Sequence, residues 1–362
     1  MSHKILFISS MYSGSLDIFY KKYKDTKHLT YDEHYKLLLE DTTEFVGSYV
    51  RGFRKLGFDA QCVIANDTHL QSKWNKENVS VSDHNKDLLF RQVNLFKPDI
   101  LWIDNLSFVD RKCLVWARNS IRSIKLIIGY HCSPYGLKIL DTLKSVDFII
   151  TCTPGLKTDM ENNGLRSYLV YHGFDEYQIP KLNNNNSFPK NNFVFSGSLI
   201  SGGKFHDKRI KLIETILKED LGISLYVNLE KQYKTRTKQS IYLIADILRK
   251  LRMKKLIEKI PIFEYGKTKI ENYSAALLKS SHNPVYGIDM YDLFSRSEVV
   301  LNMHIGVAGN YAGNMRLFEV TGVGSCLLTD NKKNLKYLFD TENEVVAYDN
   351  TEDGIQKAKW LL

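Results

Sequence analysis

Short apolar runs alternate with longer polar or amphipathic stretches along this chain, and the pattern restarts once, midway. The first set of runs lies at 4–9, 60–65, 99–104, 125–130, 147–152 and 168–171, with a helical stretch, 31–56, ending at Gly57. The second set lies at 192–196, 223–228, 260–263, 298–301, 325–329 and 344–347, with helices expected over 207–218, 238–259, 290–296, 313–322 and 333–339. Strand-length runs separated by helices point to βαβ units and parallel sheets. The join, Pro180 to Pro189, holds two prolines and an Asn run that cannot pack a core, so 179–191 reads as a linker. The expected fold class is therefore α/β, with two Rossmann-like doubly wound domains, 1–178 and 192–362, facing across a cleft. A length of 362 residues suits two domains. In such sheets ligands bind just beyond the carboxyl ends of the strands.

Composition removes several classes. Apolar residues make up 43% and charged residues 25%, which excludes wholesale disorder. No run of 18 apolar residues occurs, so no membrane-spanning helix is expected. The segment Lys4 to Ser10 reads as a buried strand and lacks the features of a signal peptide. Five scattered cysteines at 62, 113, 132, 152 and 326 form no CxxC and no metal-like spacing, which suits a reducing compartment. The expected location is the cytoplasm, with peripheral contact at the inner face of the membrane. GxGxxG, GxSxG, HExxH and DxD are all absent. Gly197 to Phe205 imitates a phosphate-binding loop but places Lys204 one position late and puts Phe205 where Ser or Thr would hold Mg²⁺. No metal and no resident cofactor are expected.

Four constellations remain. The segment 301–330 runs strand, glycine-rich loop, helix, glycine-rich turn, strand. Gly309 and Gly313 precede the helix and leave its first N–H groups free, a ready anion site to which Arg316 adds a fork-shaped donor. Glu319 lies about one turn deeper, within reach of a hydroxyl pair beside a bound phosphate. The same residues equally suit a plain turn with an i,i+3 pair. Phe193 to Leu199 ends in Gly197 and Ser198, where a ligand can approach the backbone, with Lys204 and Arg209 nearby; a lone lysine such as Lys204 is more often merely solvated. His131 follows the apolar run Ile127 to Tyr130, with structural and functional roles equally open. Finally, 231–260 carries ten Lys/Arg against Asp246 and Glu258, a net +8 within a chain of +9. Ile241, Ile244, Ile247, Leu248 and Leu251 share one face of it. That face is expected to pack on its own sheet, with weak attraction of the cations to an anionic membrane as a secondary effect. No nucleic-acid-binding module is recognisable.

The order of these motifs resembles the GT-B glycosyltransferases, and the second half a CgeB-like branch of the group 1 enzymes. The resemblance rests on Pro284 to Tyr291, Ser297 to His304, Asn314 to Glu319, Gly322 to Asp330 and Glu344 to Tyr348, covering roughly 282–362. The first half matches in outline, through Val146 to Thr151 and Tyr171-His172-Gly173-Phe174-Asp175. The resemblance implies an acceptor-side first domain and a second domain that holds a nucleotide sugar. By position, Glu319 matches the acid that binds the nucleotide ribose, and Gly313, Asn314, Met315 and Arg316 match a diphosphate cradle. Tyr286-Gly287-Ile288 would lie by the base. Gly14, within Ser13-Gly14-Ser15, would face the donor phosphates, and His131 is similar to a catalytic histidine near the transferred sugar. Two positions depart from the pattern: Tyr311 stands where related retaining enzymes often carry Glu, and Ser198 where they often carry a cation. Family members usually continue past a point like Trp360-Leu361-Leu362 with a helix returning to the first domain.

The resemblance thus implies a hexosyl-type glycosyltransferase of polysaccharide biosynthesis. It would move sugar from a nucleoside diphosphate to a hydroxyl of a glycan or lipid-linked acceptor, without metal and with retention. Two alternatives share the fold: a catalytically silent nucleotide-sugar-binding protein, and a sugar-nucleotide epimerase.

Overall fold

The computed structural model describes residues 2–78, 85–182, 191–200, 205–253, 260–266, 270–306 and 309–362. It is α/β, with two six-stranded sheets. The first contains β1 (Lys4–Ser9), β2 (Asp59–Ile64), β3 (Ile100–Ile103), β4 (Leu126–Tyr130), β5 (Phe148–Thr151) and β6 (Ser167–Leu169). Their order is β2-β1-β3-β4-β5-β6, and every pairing is parallel. The second contains β7 (Asn191–Leu199), β8 (Ser224–Leu229), β9 (Ser281–His282), β10 (Ser297–Asn302), β11 (Cys326–Asp330) and β12 (Val346–Tyr348). Its order is β12-β11-β10-β7-β8-β9, again all parallel. Counted from its own first strand, that is the 3-2-1-4-5-6 order of dinucleotide-binding sheets, with the strand order reversing between β7 and β10. In the first sheet the reversal falls between β1 and β3.

Both faces of the first sheet are covered, as parallel sheets require. Leu6 and Ile8 enter one core with Leu101, Ile103 and Ile127, while Ile5 and Phe7 enter the other with Trp102 and Ile128. Each fully buried aliphatic or Phe side chain contributes about 1.5–3 kcal/mol. By internal contacts the chain forms two compact units, Met1–Asn183 with Tyr286–Met290, and Asn184–Val285 with Tyr291–Leu362. Of the linker, 183–190 lies outside the described residues.

Several expected elements differ. The stretch 31–56 is two helices, Tyr31–Asp41 and Phe45–Lys55. Thr30 and Glu33 form a capping box on the first, and Thr42 ends it in extended backbone. Segment 260–263 belongs to a 3₁₀ turn, Pro261–Gly266, not a strand, because Pro261 has no N–H to give a sheet. The second sheet's edge is instead the two-residue β9. The expected 333–339 helix is reduced to a 3₁₀ turn, Leu335–Tyr337. The basic helix runs Gln232–Lys250, with Thr235 and Ala245 buried. The expected apolar face is split: Ile241 and Leu248 are half-buried, while Ile244, Ile247 and Leu251 are 51, 56 and 63% exposed. No helix among the described residues is long and apolar enough to cross a membrane.

Candidate functional site

Ser196, Asn302, His304, Thr329, Asp330 and Asn334 are buried polar residues at or near the carboxyl ends of β7, β10 and β11. A strand-order reversal sends the crossover helices to opposite faces and leaves an opening at the carboxyl ends. Two guanidiniums stand there. Arg209, from the helix Asp207–Lys218, donates through Nη1 to the Ser198 carbonyl at 3.3 Å and through Nε to the Met303 carbonyl at 3.1 Å, with Nη2 also on Met303. It therefore ties the exits of β7 and β10 together. Its plane sits over Phe195, 5.4 Å from the ring centroid. Burial first, and then the positive charge of Arg316, lower its pKa from 12.5 to about 10. The second guanidinium, Arg316, opens the helix Arg316–Gly322, lies 4.6 Å over the Phe294 ring and donates to Glu319 Oε2 at 2.8 Å. Burial raises the Glu319 carboxyl above its ordinary range, and Arg316 opposes that rise. Burial and the charge of Arg316 thus work against the Arg209 cation while Asp330 favours it, and Arg316 is paired with Glu319; the place gathers buried cations and carboxylates at the strand ends, where charged ligands commonly bind.

The loop before Arg316 is held by two asparagines, Asn334 and Asn302. Gly309 has φ 57°, a conformation that favours glycine. Asn334, buried, accepts from the Ala312 N–H at 2.6 Å and donates to its carbonyl at 2.9 Å. Asn314 Nδ2 donates to Asn302 Oδ1 at 2.8 Å, and Asn302 Nδ2 donates to Thr329 Oγ1 at 2.9 Å. Gly313, Asn314 and Met315 are half-buried. The helix they lead into has only seven residues, so Arg316 rather than the helix dipole is the main positive feature.

Gly197 and Ser198 lie near the carboxyl end of β7. A Cβ on Gly197 would come within 3.2 Å of the Phe195 ring and 3.6 Å of Arg209, so the glycine permits the close packing under Arg209. Their register partners on β8, Val227 and Asn228, line a cavity of about 640 Å³ with Leu229, His282 and Pro284 among its other walls. Lys204 lies outside the described residues.

Gly14 and Tyr286 meet within the first unit. Gly14 is the second residue of the helix Ser13–Lys22, and a Cβ there would fall 2.4 Å from the Tyr286 ring. The glycine thus makes room for an aromatic ring. Burial, then Asp17 and Glu44, raise the Tyr286 pKa. His131 is half-buried just beyond β4, with Nε2 3.3 Å from Ser133 Oγ and its ring edge-on to Tyr135. Burial lowers its pKa, so it is neutral at pH 7. At the first sheet's reversal, Asp104 accepts from Ser9, and burial pushes its carboxyl up to about 6.

Reading the sequence for sites overlooked His304, Asp330 and Asn334. His304 Nδ1 lies 2.7 Å from Asp330 Oδ1, the His304 N–H donates to the same oxygen at 2.9 Å, and Nε2 is buried without a partner among the described residues. Burial opposes ionisation of Asp330, but His304 and Lys332 hold its carboxyl below the ordinary range. The available signal was position: His304 follows β10 by two residues, and Asp330 ends β11.

Residues 238–362 match a family described as "Glycosyl transferase-like". No curated protein matches the sequence. Solved structures also align along nearly the whole chain, among them the following three. Sucrose-phosphate synthase from Thermosynechococcus elongatus is 8% identical, covering 99% of this chain and 90% of its own, with a TM-score of 0.52. An α-glucosyltransferase solved with UDP-glucose and DNA containing an abasic site is 14% identical, covering 100% and 91%, also at 0.52. Anabaena HepE, solved with UDP and glucose, is 12% identical, covering 99% and 89%, again at 0.52. The fold is GT-B. Within it, the glycosyltransferase-like segment spans β9 to β12 and includes Arg316, Glu319 and the Asn302–Asn314 pair.

Proposed function

We propose that this chain is a retaining, metal-independent glycosyltransferase that moves a hexosyl-type sugar from a nucleoside diphosphate to a glycan or lipid-linked hydroxyl. The observation that carries the reading is the placing of two guanidiniums at the carboxyl ends of the second sheet: Arg209, bonded to the Ser198 and Met303 carbonyls beyond β7 and β10, and Arg316, at the start of the helix that leads into β11. A diphosphate would place its negative charge beside these cations, and it gains charge as the sugar leaves, so the cations favour the transition state over the ground state. Glu319 beside Arg316 suits a ribose hydroxyl pair, and the cavity beside Gly197–Ser198 has room for the base. In the reaction the bond from C1 to the diphosphate oxygen breaks and one from C1 to the acceptor oxygen forms. The acceptor proton leaves on the released diphosphate. His131, neutral, is suited to hydrogen-bond a sugar hydroxyl.

An amphipathic surface supports the lipid-linked class of acceptor. Ile244, Ile247 and Leu251 are exposed, with Lys250 and Arg252 beside them. Such a face suits weak contact with an anionic lipid surface. Co-sedimentation with vesicles containing or lacking anionic lipid tests this.

For the main reading, the purified chain is incubated with labelled UDP-, GDP-, dTDP- and ADP-sugars, with and without EDTA, and transfer and hydrolysis are scored. The reading expects turnover of one donor class that survives EDTA and falls sharply in Arg316→Ala. Near-wild-type turnover in Arg316→Ala removes the diphosphate assignment.

A further inference from the structure

Cys132, Cys152 and His172 are 20 residues apart in sequence, a spacing that carries no local metal motif. The first sheet nevertheless brings them together. β4, β5 and β6 are parallel neighbours, with Tyr130 opposite Ile150 and Ile150 opposite Tyr168. Two residues beyond that row, Cys132 lies beside Cys152, and the chain after β6 brings in His172. The ligand atoms of all three lie within 4.8 Å of one another. We propose that Cys132, Cys152 and His172 bind one zinc ion.

The geometry needs little change. With Zn–S near 2.3 Å and Zn–N near 2.0–2.1 Å, tetrahedral ligand atoms stand about 3.5–3.8 Å apart. Closing from 4.8 Å to that range is a matter of side-chain rotation about fixed strand ends. Those ends are pinned: the His131 N–H donates to the Ile150 carbonyl at 3.0 Å, and the Val170 N–H to the Thr151 carbonyl at 2.9 Å. The imidazole is also oriented. Phe45 stacks on it at 5.3 Å and 24°, and the Tyr130 hydroxyl lies 3.3 Å from Nδ1. Outer partners of this kind are what hold a metal-binding histidine in place. Cys152 is buried, while Cys132 and His172 are half-buried, which leaves an entry path for an ion.

Two thiolates and an imidazole select zinc over magnesium or calcium. Three protein ligands leave the fourth position to water. On binding, both thiols lose their protons to solvent, two Zn–S bonds and one Zn–N bond form, and zinc sheds bound water. No oxidation state changes. The site lies in the first unit and involves none of the residues assigned to the donor, so it stands or falls independently of the proposed activity.

The test uses the untagged full chain, reduced and stripped with EDTA. It is loaded with Zn²⁺, separated from free metal and analysed for zinc per chain. Co²⁺ loading is read separately by absorption, where thiolate ligation gives a charge-transfer band. The proposal expects one zinc per chain and that band. Cys132→Ser, Cys152→Ser and His172→Ala should each weaken binding at least about 100-fold, since even outer-partner losses cost 10–100-fold. Cys326→Ser, in the second unit, should bind as wild type. Circular dichroism in EDTA reports folding; if Cys152→Ser does not fold, the two half-buried positions decide. The proposal is overturned if the reduced wild-type chain retains no zinc, or if the folded variants bind as wild type does. A Cys132–Cys152 disulfide that forms in air at the same rate with and without zinc overturns it as well.

Discussion

Replacing Arg209 by Met separates an anion-binding role from a structural one. Met keeps much of the stem and deletes the guanidinium. The Met303 carbonyl then loses both Arg209 donors, while the Ser198 carbonyl still faces His206 Nδ1 at 3.0 Å. The lost charge-assisted bonding is worth about 1.5–3 kcal/mol, and the orphaned carbonyl costs about 1–3 kcal/mol. Against this, the depression of Arg209 from 12.5 to about 10 corresponds to about 3 kcal/mol disfavouring the buried cation, and Met removes that cost. The terms largely cancel, so the ligand-free chain should lose only about 0–3 kcal/mol. Donor binding behaves differently. A contact to a charged group worth about 1.5–3 kcal/mol weakens the dissociation constant roughly 10- to 150-fold when lost. Nucleoside diphosphate at 100 times the wild-type constant stabilises wild type by about 2.7 kcal/mol, and the variant by only about 0.3–1.4 kcal/mol. Urea unfolding with and without ligand measures both quantities. A loss above about 4 kcal/mol without ligand, with the ligand-induced gain intact, would show that Arg209 is only a clasp and refute the reasoning.

The Arg316–Glu319 pair should show a coupling of about 1.5–3 kcal/mol in a double-mutant cycle of Arg316→Ala and Glu319→Gln, measured by urea unfolding; a value below about 0.5 kcal/mol contradicts a shielded pair. Because burial raises the folded Glu319 pKa, its contribution is full below the ordinary carboxylate range and is lost as pH rises through the folded value. The stability advantage of wild type over Glu319→Gln should therefore shrink with rising pH from about 4, and an advantage that grows reverses the sign of the argument. Gly14→Ala should cost about 1–3 kcal/mol in thermal or urea melts and much less in a Tyr286→Ala background; equal costs would mean the ring is not what the glycine accommodates. His34, His131 and His206 all have pKa values depressed first by burial, so their contributions are lost as pH falls from about 6.5 through the folded values. Replacing all three with Gln should flatten that acid limb, and an unchanged limb excludes them as its source.

Strand positions were legible because buried parallel strands read as continuous apolar runs, and Lys4–Ser9 and Cys326–Asp330 fall nearly where those runs lie. β9 was not legible: two residues, Ser281 and His282, have no hydropathic pattern, and only pairing to Leu225 and Tyr226 makes them a strand. The break between Asp41 and Phe45 was hidden because Thr42 and Thr43 fit a helical pattern, and the break depends on tertiary bonds such as Tyr12 N–H to Glu44. At the candidate site, Arg316 and Glu319 could be picked out by their local spacing. The part Arg209 plays could not, because its acceptor Met303 is 94 residues away and depends on β7 pairing with β10. The same holds for Cys132, Cys152 and His172, which only the β4–β5–β6 register unites.

The central claim is that a nucleoside diphosphate binds at the β7–β10 reversal. Amide hydrogen exchange, read by mass spectrometry across a series of UDP, GDP, dTDP, ADP and CMP, tests it most directly. The account predicts that one diphosphate slows exchange at 196–199 and 313–319, and that Arg316→Ala abolishes this protection. Protection confined to other segments, or none from any nucleotide in a chain shown to be folded, would contradict it.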